Sequence, residues 1–425
     1  MSIHTLGKCD IVQPGRPLPT TATSIAVAPE GRNGIGAVVM GGDYRGLGVV
    51  RSLGRRSIPV WVLHEDGHLL ATTSRYAQRS LPWVPGNDAE RVGFLLDLAE
   101  KNGLEGWVLI PTGDEGAALV ARHHSELAKR FRLTTPPWHI LRWTYDKRLA
   151  YQLADKLQVS HPWTLYPSNR RELAEADCPF PVILKPAFRN KFNRLTAAKA
   201  WRADDRQSLL ARYDKACAFV DPEVLMVQEV IPGWGEAQFS YAAICQDGRS
   251  LASLVAQRLR QFPMDFGRAS TCVQTVDEPA VIEPSVRMLE AMNFTGIVEI
   301  EFKHDTRDGQ HKLLDINPRV WGWHSLGARA GVDFSYLLWL QACGAAVSES
   351  RPQIGVRWVR ASTDLRTVAL EILRGRLSLG EYARSLHGPR ESAIFSSDDP
   401  LPGLLEVPLL AYLLGRRAFC GGKIA

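Results

Sequence analysis

The chain has 425 residues, of which 45% are hydrophobic and 23% charged, as in a globular protein of two or three domains. Its 51 basic and 45 acidic residues give a net charge of +6, and the basic residues are dispersed, which disfavours nucleic-acid binding. Its seven cysteines show no metal-binding spacing. The apolar stretches 334–347 and 401–414 are too short to span a bilayer, and residues 1–33 lack the apolar run of a secretory signal. We therefore expect a cytoplasmic protein without a transmembrane segment.

Strand and helix patterns alternate over residues 34–135, behind a flexible segment at 1–33. This alternation predicts a parallel, doubly wound, Rossmann-like domain. The glycine-rich turn "GGDYRGLG" (41–48) departs from G-x-G-x-x-G and is weak evidence for a dinucleotide site. In "PTGDEG" (111–116), Asp114 or Glu115 either meets a substrate amine or serves, with Thr112, to cap a helix.

A second pattern covers residues 136–348. It contains a helix at 144–159, strands at 180–186 and 223–233, and a hairpin around an Asp247-Gly248 turn. We expect a smaller lobe at about 150–230 and an extension of helices and loops at 349–425. The stretch 401–414 reads as a core helix, although the arginines that follow it leave membrane-surface docking as an alternative.

Acidic side chains lie on two segments that are predicted to be neighbouring strands, "GIVEIEF" and "KLLDINPR". Glu299 and Glu301 alternate with apolar residues on the first strand, and Asp315 and Asn317 share one face of the second. An odd-length loop centred on Asp308 would place Glu301 opposite Asp315, and we predict that loop. Facing carboxylates repel unless a cation lies between them, and hard oxygen ligands suit Mg²⁺. A solvated acidic strand face is the alternative.

Three further features have functional and ordinary explanations. Lys185 ends an apolar strand and Lys147 begins a helix, where each either meets a phosphate or lies at the surface. In "QEVIPGWGE", the acids Glu229 and Glu236 flank a Pro-Gly break whose backbone could pair with a purine edge. A plain strand end with two solvated acids is equally compatible with this segment.

The order of these features resembles the ATP-grasp superfamily, and most closely its carboxylate–amine ligase branch, over roughly residues 36–345. The resemblance implies an α/β fold: a pre-ATP-grasp domain at 34–135, a two-lobed α+β ATP-grasp domain at 136–348 and a helical tail. It implies ATP and Mg²⁺ as cofactors, with Mn²⁺ as the alternative ion. It also implies small-molecule carboxylate and amine substrates. The oligomeric state stays open, with a homodimer as the commonest default.

The resemblance also implies roles for individual residues. Lys147 and Lys185 would contact ATP phosphates, while Glu229, the backbone of Val230 and Ile231, and Glu236 would hold adenosine. The implied metal ligands are Glu301, Asp315 and Asn317. The implied catalytic residues are Arg258 or Arg260, which would steady the phosphoryl group, and Arg319, which would bind the acyl phosphate or the substrate carboxylate.

Two departures from the family pattern affect these roles. No glycine occurs between Lys185 and Gly233, so the phosphate lid is expected to use basic side chains instead, namely Arg189, Lys191 and Arg194. Asp315 stands where glutamate is commoner. The expected activity is ligation of a carboxylate to an amine through an acyl phosphate. The alternatives are an ATP-grasp phosphotransferase, a non-catalytic ATP-binding module and, more remotely, a dehydrogenase.

Overall fold

The computed structural model describes residues 34–187, 200–264, 269–348 and 350–419, with side chains up to Tyr412 in the last range. The predicted lid residues Arg189, Lys191 and Arg194 lie outside these ranges. No helix in the described part is long and apolar enough to cross a membrane.

A five-stranded parallel sheet forms the N-terminal domain, in the order β3-β2-β1-β4-β5. Its strands are Ala37–Met40 (β1), Val60–His64 (β2), Arg79–Pro82 (β3), Val108–Pro111 (β4) and Arg132–Leu133 (β5). Its helices are Tyr44–Gly54 (α1), Asp88–Asn102 (α2), Asp114–Arg122 (α3) and His124–Leu127 (α4). Because the strand order reverses between β1 and β4, a crevice opens at their carboxyl ends. The Rossmann-like prediction is confirmed.

Two helices lead into a small antiparallel sheet. The predicted helix at 144–159 is divided at Asp146, which caps the second helix by accepting a hydrogen bond from the backbone N–H of Arg148. The helices of this region are Trp138–Tyr145 (α5), Lys147–Lys156 (α6), Arg170–Glu175 (α7) and Arg206–Cys217 (α8). The strands are Thr164–Leu165 (β6), Val182–Pro186 (β7), Trp201–Ala203 (β8) and Leu225–Glu229 (β9), in the order β6-β9-β7-β8.

A seven-stranded sheet forms the centre, in the order β14-β13-β10-β11-β12-β15-β16. Its strands are Gln238–Gln246 (β10), Arg249–Phe262 (β11), Ala269–Val276 (β12), Gly296–Asp305 (β13), Gln310–Asn317 (β14), Arg357–Val359 (β15) and Arg390–Ser392 (β16). The remaining helices are Ile282–Met292 (α9), Leu326–Arg329 (α10), Phe334–Ala342 (α11), Ala361–Leu373 (α12), Leu379–Ser385 (α13) and Leu401–Phe419 (α14). The Asp247-Gly248 turn is confirmed: both residues have positive φ and join β10 to β11.

Alternation along β10 divides the core between the two faces of the central sheet. Ala242 and Ile244 pack with the N-terminal domain and α11, whereas Tyr241 and Ala243 pack with α6 and α9. The sheet is therefore covered on both faces.

The prediction that residues 349–425 form only helices and loops is wrong, because this extension also contributes strands to the central sheet. Strand β15 pairs with β12, and β16 pairs with β15, so this extension widens the central sheet by two strands. Strands of three residues are too short to show a period of two, which explains why the sequence pattern missed them. The extension also reaches the N-terminal domain, where buried Asp399 accepts hydrogen bonds from Arg51 Nε at 2.9 Å and Ser74 Oγ at 2.7 Å.

Candidate active site

Strands β13 and β14 bring the predicted acidic residues together. Glu301 lies opposite Asp315 and Glu299 lies opposite Asn317, as the predicted register requires. The predicted odd loop is wrong, however, because the turn from 306 to 309 has four residues. A bulge at Leu314 restores the register, since Glu301 pairs with Asp315 whereas Phe302 already pairs with Leu313.

The Asn317 side chain links the carboxylates to an arginine. Its Nδ2 donates to Glu299 Oε2 at 3.1 Å and to Glu301 Oε1 at 2.9 Å. Its Oδ1 accepts a hydrogen bond from Arg319 Nη2 at 3.2 Å. Amide, acids and guanidinium therefore form one connected cluster at the end of the two strands.

Glu299 is a member of this cluster that the prediction of metal ligands omitted. It is 3% exposed, and its burial and the charge of Glu301 raise the pKa of its carboxyl group. Its Oε1 is buried and accepts no hydrogen bond from the described residues. A buried carboxylate oxygen without a donor, beside a second carboxylate, fits a hard cation such as Mg²⁺. The alternation along β13 already placed Glu299 on the face of Glu301, which was the available signal.

Asp315 is held away from the other two carboxylates. It forms an ion pair with Lys147, whose Nζ also lies 3.5 Å from the carbonyl oxygen of Leu314. Accordingly, no group of three or more His, Cys, Asp or Glu side chains in the described ranges is arranged to hold a metal. The oxygen donors that lie together are those of Glu299, Glu301 and Asn317, with Asp315 opposite Glu301 on the neighbouring strand.

The predicted phosphate lysines lie beside the same strand. Lys185 Nζ donates to Gln228 Oε1 at 2.7 Å, and Gln228 Nε2 donates to the hydroxyl of Tyr151 at 3.0 Å. That hydroxyl donates in turn to the carbonyl oxygen of Leu314, which also lies 3.5 Å from Lys147 Nζ. A chain of hydrogen bonds therefore connects both lysines to the strand that carries Asp315.

Glu229 does not fit the predicted contact with adenine. Its carboxylate accepts hydrogen bonds from the Trp163 backbone N–H at 3.0 Å, Arg307 at 2.6 Å and Lys312 at 3.1 Å. Burial alone would raise the pKa of Glu229, but these three donors hold it below its usual value. These contacts use the hydrogen-bonding capacity of the Glu229 carboxylate, so it does not fit a contact with adenine. The side chain instead links β9 to the β13–β14 hairpin.

The rest of the predicted adenosine segment is organised by Lys303, which the sequence analysis did not single out for a role. Lys303 Nζ donates to the carbonyl oxygens of Ile231 at 2.9 Å and Gly233 at 2.6 Å, and burial lowers the pKa of this lysine to about 8. The Val230 N–H donates to Pro181 at 2.9 Å, so it is not free for a purine edge. Glu236 is exposed beyond the break. Lys303 lies two residues after Glu301 on the charged face of the strand, which was the signal for it.

The two candidate arginines of β11 lie in different surroundings. Arg258 Nη2 is 3.3 Å from Glu301 Oε2, within the acidic cluster. Arg260 instead donates to both oxygens of buried Asp364 at 2.8 Å and 2.7 Å and to Ser385, in the C-terminal extension. A bulge between the two residues separates them, so the predicted role near the phosphoryl group fits Arg258 and not Arg260.

Arg319 connects the acidic cluster to the N-terminal domain. Its Nε donates to Asp114 Oδ1 at 2.9 Å, at the start of α3. A cavity of about 260 Å³ is lined by Glu299, Glu301, Asn317, Arg258 and Arg319, and also by Asp43 and Arg45 of the glycine-rich turn. A second cavity of about 400 Å³, at the carboxyl ends of β1 and β4, shares Asp43 and Arg45. The two cavities therefore adjoin.

His324 is a buried packing residue. It is 2% exposed, and its ring lies so close to Gly48 that a Cβ there would be 2.6 Å from it. Burial lowers the pKa of His324 to about 4, so the ring is neutral near pH 7. It lines neither of the two cavities just described.

Comparison with known proteins agrees with this architecture. Residues 221–362 match the family described as "ATP-grasp in the biosynthetic pathway with Ter operon". D-aspartate ligase from Enterococcus faecium is 24% identical over 302 residues, which cover 66% of this chain and 70% of that protein.

Two solved structures show the same fold. The L-amino acid ligase from Bacillus licheniformis has a TM-score of 0.57 and 13% identity, over 72% of this chain and 74% of its own. The biotin carboxylase domain of the 2-oxoglutarate carboxylase from Hydrogenobacter thermophilus, solved as a dimer with MgADP and bicarbonate, has a TM-score of 0.58 and 14% identity. That likeness covers 75% of this chain and 73% of that domain. In its fold, in the family matched by residues 221–362 and in its relatives, the chain is similar to ATP-grasp proteins that include ligases.

Proposed function

We propose that this protein is an ATP-dependent ligase that joins a small-molecule carboxylate to an amine through an acyl phosphate, releasing ADP and phosphate. The observation that carries the proposal is the cluster of Glu299, Glu301, Asn317 and Arg319. It lines a cavity bounded on its other side by the N-terminal domain. Such a cavity can hold a phosphoryl donor and an acceptor together, and it supplies cationic and metal-binding groups.

Positioning and neutralisation of charge are the main tasks that this reaction sets for the protein. A carboxylate is a poor electrophile, and transfer of the γ-phosphoryl group of ATP to it creates a good leaving group. Lys147 and Lys185 would bind the phosphates of ATP. Lys147 would exchange its ion pair with Asp315 for this contact, which would free that carboxylate for the metal site.

The residues that would hold Mg²⁺ are Glu299, Glu301 and Asn317, joined by Asp315 once Lys147 has moved. Mn²⁺ is the alternative ion for the same oxygen ligands. When bound, the ion would neutralise negative charge on the phosphates.

Two arginines would act on the reacting groups. Arg258, beside Glu301, would stabilise the phosphoryl group during its transfer. Arg319 would bind the acyl phosphate or the substrate carboxylate through paired N–H groups. Asp114 and Asn317 hold its guanidinium from two sides, so its orientation is fixed before substrate arrives.

The test is the nucleotide product formed with a panel of carboxylates and amines. We expect ADP and phosphate, with turnover lost in Asn317→Ala and retained in the matched control Asn102→Ala. Asn102 lies at the end of α2, where it donates a hydrogen bond to the carbonyl oxygen of Leu98 and accepts one from Arg79, and it lines neither cavity. AMP and pyrophosphate would contradict the acyl-phosphate route. Labelled γ-phosphate retained on the product would indicate a phosphotransferase, and ATP binding without turnover under any acceptor would indicate a binding module.

A further inference from the structure

The cavity of about 400 Å³ in the N-terminal domain presents different charged groups at its two ends. It follows the carboxyl edge of the parallel sheet, from β3 and β2 across β1 to β4. Its β4 end is lined by Asp114 and Glu115, next to the cavity of the acidic cluster. Its β3 end is lined by Arg91 and Trp83, and also by His68 and Glu65, which lie 3.7 Å apart. A molecule that fills the cavity lengthwise therefore meets Asp114 and Glu115 at one end and Arg91, beside the Glu65–His68 pair, at the other.

Arg91 is the cation at the far end that lacks a protein partner. Its guanidinium forms no hydrogen bond or ion pair with any residue that the structure describes, and its Nε is buried without an acceptor. Its guanidinium lies 5.7 Å from the centre of the Trp83 ring, which limits where it can point. An arginine with a buried, unsatisfied N–H group is a site for an anionic ligand group.

Most of the other charged groups of the cavity are paired with a neighbour of opposite charge. At the far end, the carboxylate of Glu65 and that of Asp43 raise the pKa of His68 and favour its cationic form. Near the middle, Arg45 is already paired with Asp43 at 2.7 Å, and at the near end Asp114 is paired with Arg319. Arg91 is thus the arginine of the cavity whose charge the described residues leave uncompensated.

The spacing of the sheet sets the length of the ligand. Adjacent strands lie about 4.8 Å apart, so β3 and β4 are separated by about 14 Å across β2 and β1. Side chains project inward from both ends and shorten the distance that the ligand must span. The walls between the ends include Met40, Leu63 and Leu119, which suit an aliphatic body.

We propose that this cavity binds the amine substrate, and that the substrate also carries an anionic group, which Arg91 binds at the β3 end. The ammonium or amine lies at the β4 end, beside Asp114 and Glu115, from where it reaches the acyl phosphate in the adjoining cavity. The inference rests on the proposed ligase function, which it extends by naming the class of acceptor.

A series of ω-amino acids of increasing length tests the proposal, because it varies the distance between the amine and the carboxylate. Glycine, β-alanine, 4-aminobutanoate, 5-aminopentanoate and 6-aminohexanoate are titrated by calorimetry into the full chain, each beside the alkylamine of equal carbon number. We expect the members with four to six carbons to bind about ten-fold or more tightly than their alkylamines. Arg91→Ala should abolish that difference. Arg79→Ala, which removes another arginine stacked on a tryptophan of this domain, should preserve it.

Three results would overturn the proposal: equal affinity for amino acids and alkylamines, a carboxylate preference that survives Arg91→Ala, or no binding by any probe at millimolar concentration. Release of ADP in the presence of a carboxylate donor is measured on the same samples. If carboxylate-selective binding occurs without ADP release under any donor, the ligase proposal fails and the binding site stands. If ADP is released equally with charged and uncharged amines, the binding inference fails alone.

Discussion

Replacement of Glu299 by glutamine should stabilise the metal-free protein while removing its response to Mg²⁺. Glu299 and Glu301 accept hydrogen bonds from one amide nitrogen at 3.1 Å and 2.9 Å. Their bonded oxygens therefore lie at most about 6 Å apart, where two full negative charges repel by about 3 kcal/mol at an effective dielectric constant of about 20. Arg258 and Arg319 offset part of this repulsion. The expected gain in the free energy of unfolding is thus about 1–2 kcal/mol.

The assay is urea unfolding at pH 8, in EDTA and in MgATP. Glu299→Gln should unfold at a higher urea concentration than the wild type in EDTA. In MgATP the wild type should gain stability in proportion to ligand saturation, and the variant should gain less. Glu290→Gln, at an exposed position on α9, is the control and should match the wild type in both conditions. A variant that is less stable than the wild type in EDTA, or equally stabilised by MgATP, would refute the reasoning.

Three other outcomes are expected. Asp399→Asn leaves the buried guanidinium of Arg51 without its counter-charge, so the free energy of unfolding, measured by urea titration, should fall by about 3–5 kcal/mol. An unchanged midpoint would contradict the bridge between the C-terminal extension and the N-terminal domain. Burial raises the pKa of Glu391 from 4.5 to about 7, so the wild type loses stability as pH rises through that window and Glu391→Gln does not. The Tm of this variant should match the wild type at pH 4 and exceed it at pH 8; equal Tm values at both would contradict the assignment. Lys185→Met should weaken ATP binding about ten-fold or more in calorimetry, since a phosphate contact is lost; wild-type affinity would remove Lys185 from the nucleotide site.

The sequence predicted the parts of the site that follow from strand periodicity. Alternation placed Glu301 and Asp315 on the charged faces of their strands, the predicted odd loop set them opposite each other, and the structure has that pairing. The sequence could not predict that a bulge at Leu314, and not an odd loop, produces the register, because either device inserts one residue between the same partners. Glu299 was on the correct face, but its burial and its unsatisfied oxygen depend on packing by neighbouring strands.

The misplaced residues depend on contacts between distant segments. Arg258 and Arg260 are two residues apart and would share a face of a regular strand, but the bulge between them separates their surroundings. Glu229 is occupied by Arg307 and Lys312, which arrive from a hairpin about eighty residues later. Neither the bulge nor the ion pairs leave a periodic signal, and the strands β15 and β16 are too short to leave one.

The central claim is that the carboxylate is activated by phosphorylation. Once release of ADP has identified a productive pair of substrates, the carboxylate can be supplied with both oxygens as ¹⁸O. The account predicts that one labelled oxygen appears in the released inorganic phosphate for each turnover, because the C–O bond of the acyl phosphate breaks when the amine attacks. Label found in AMP, or phosphate released without label while product forms, would contradict it.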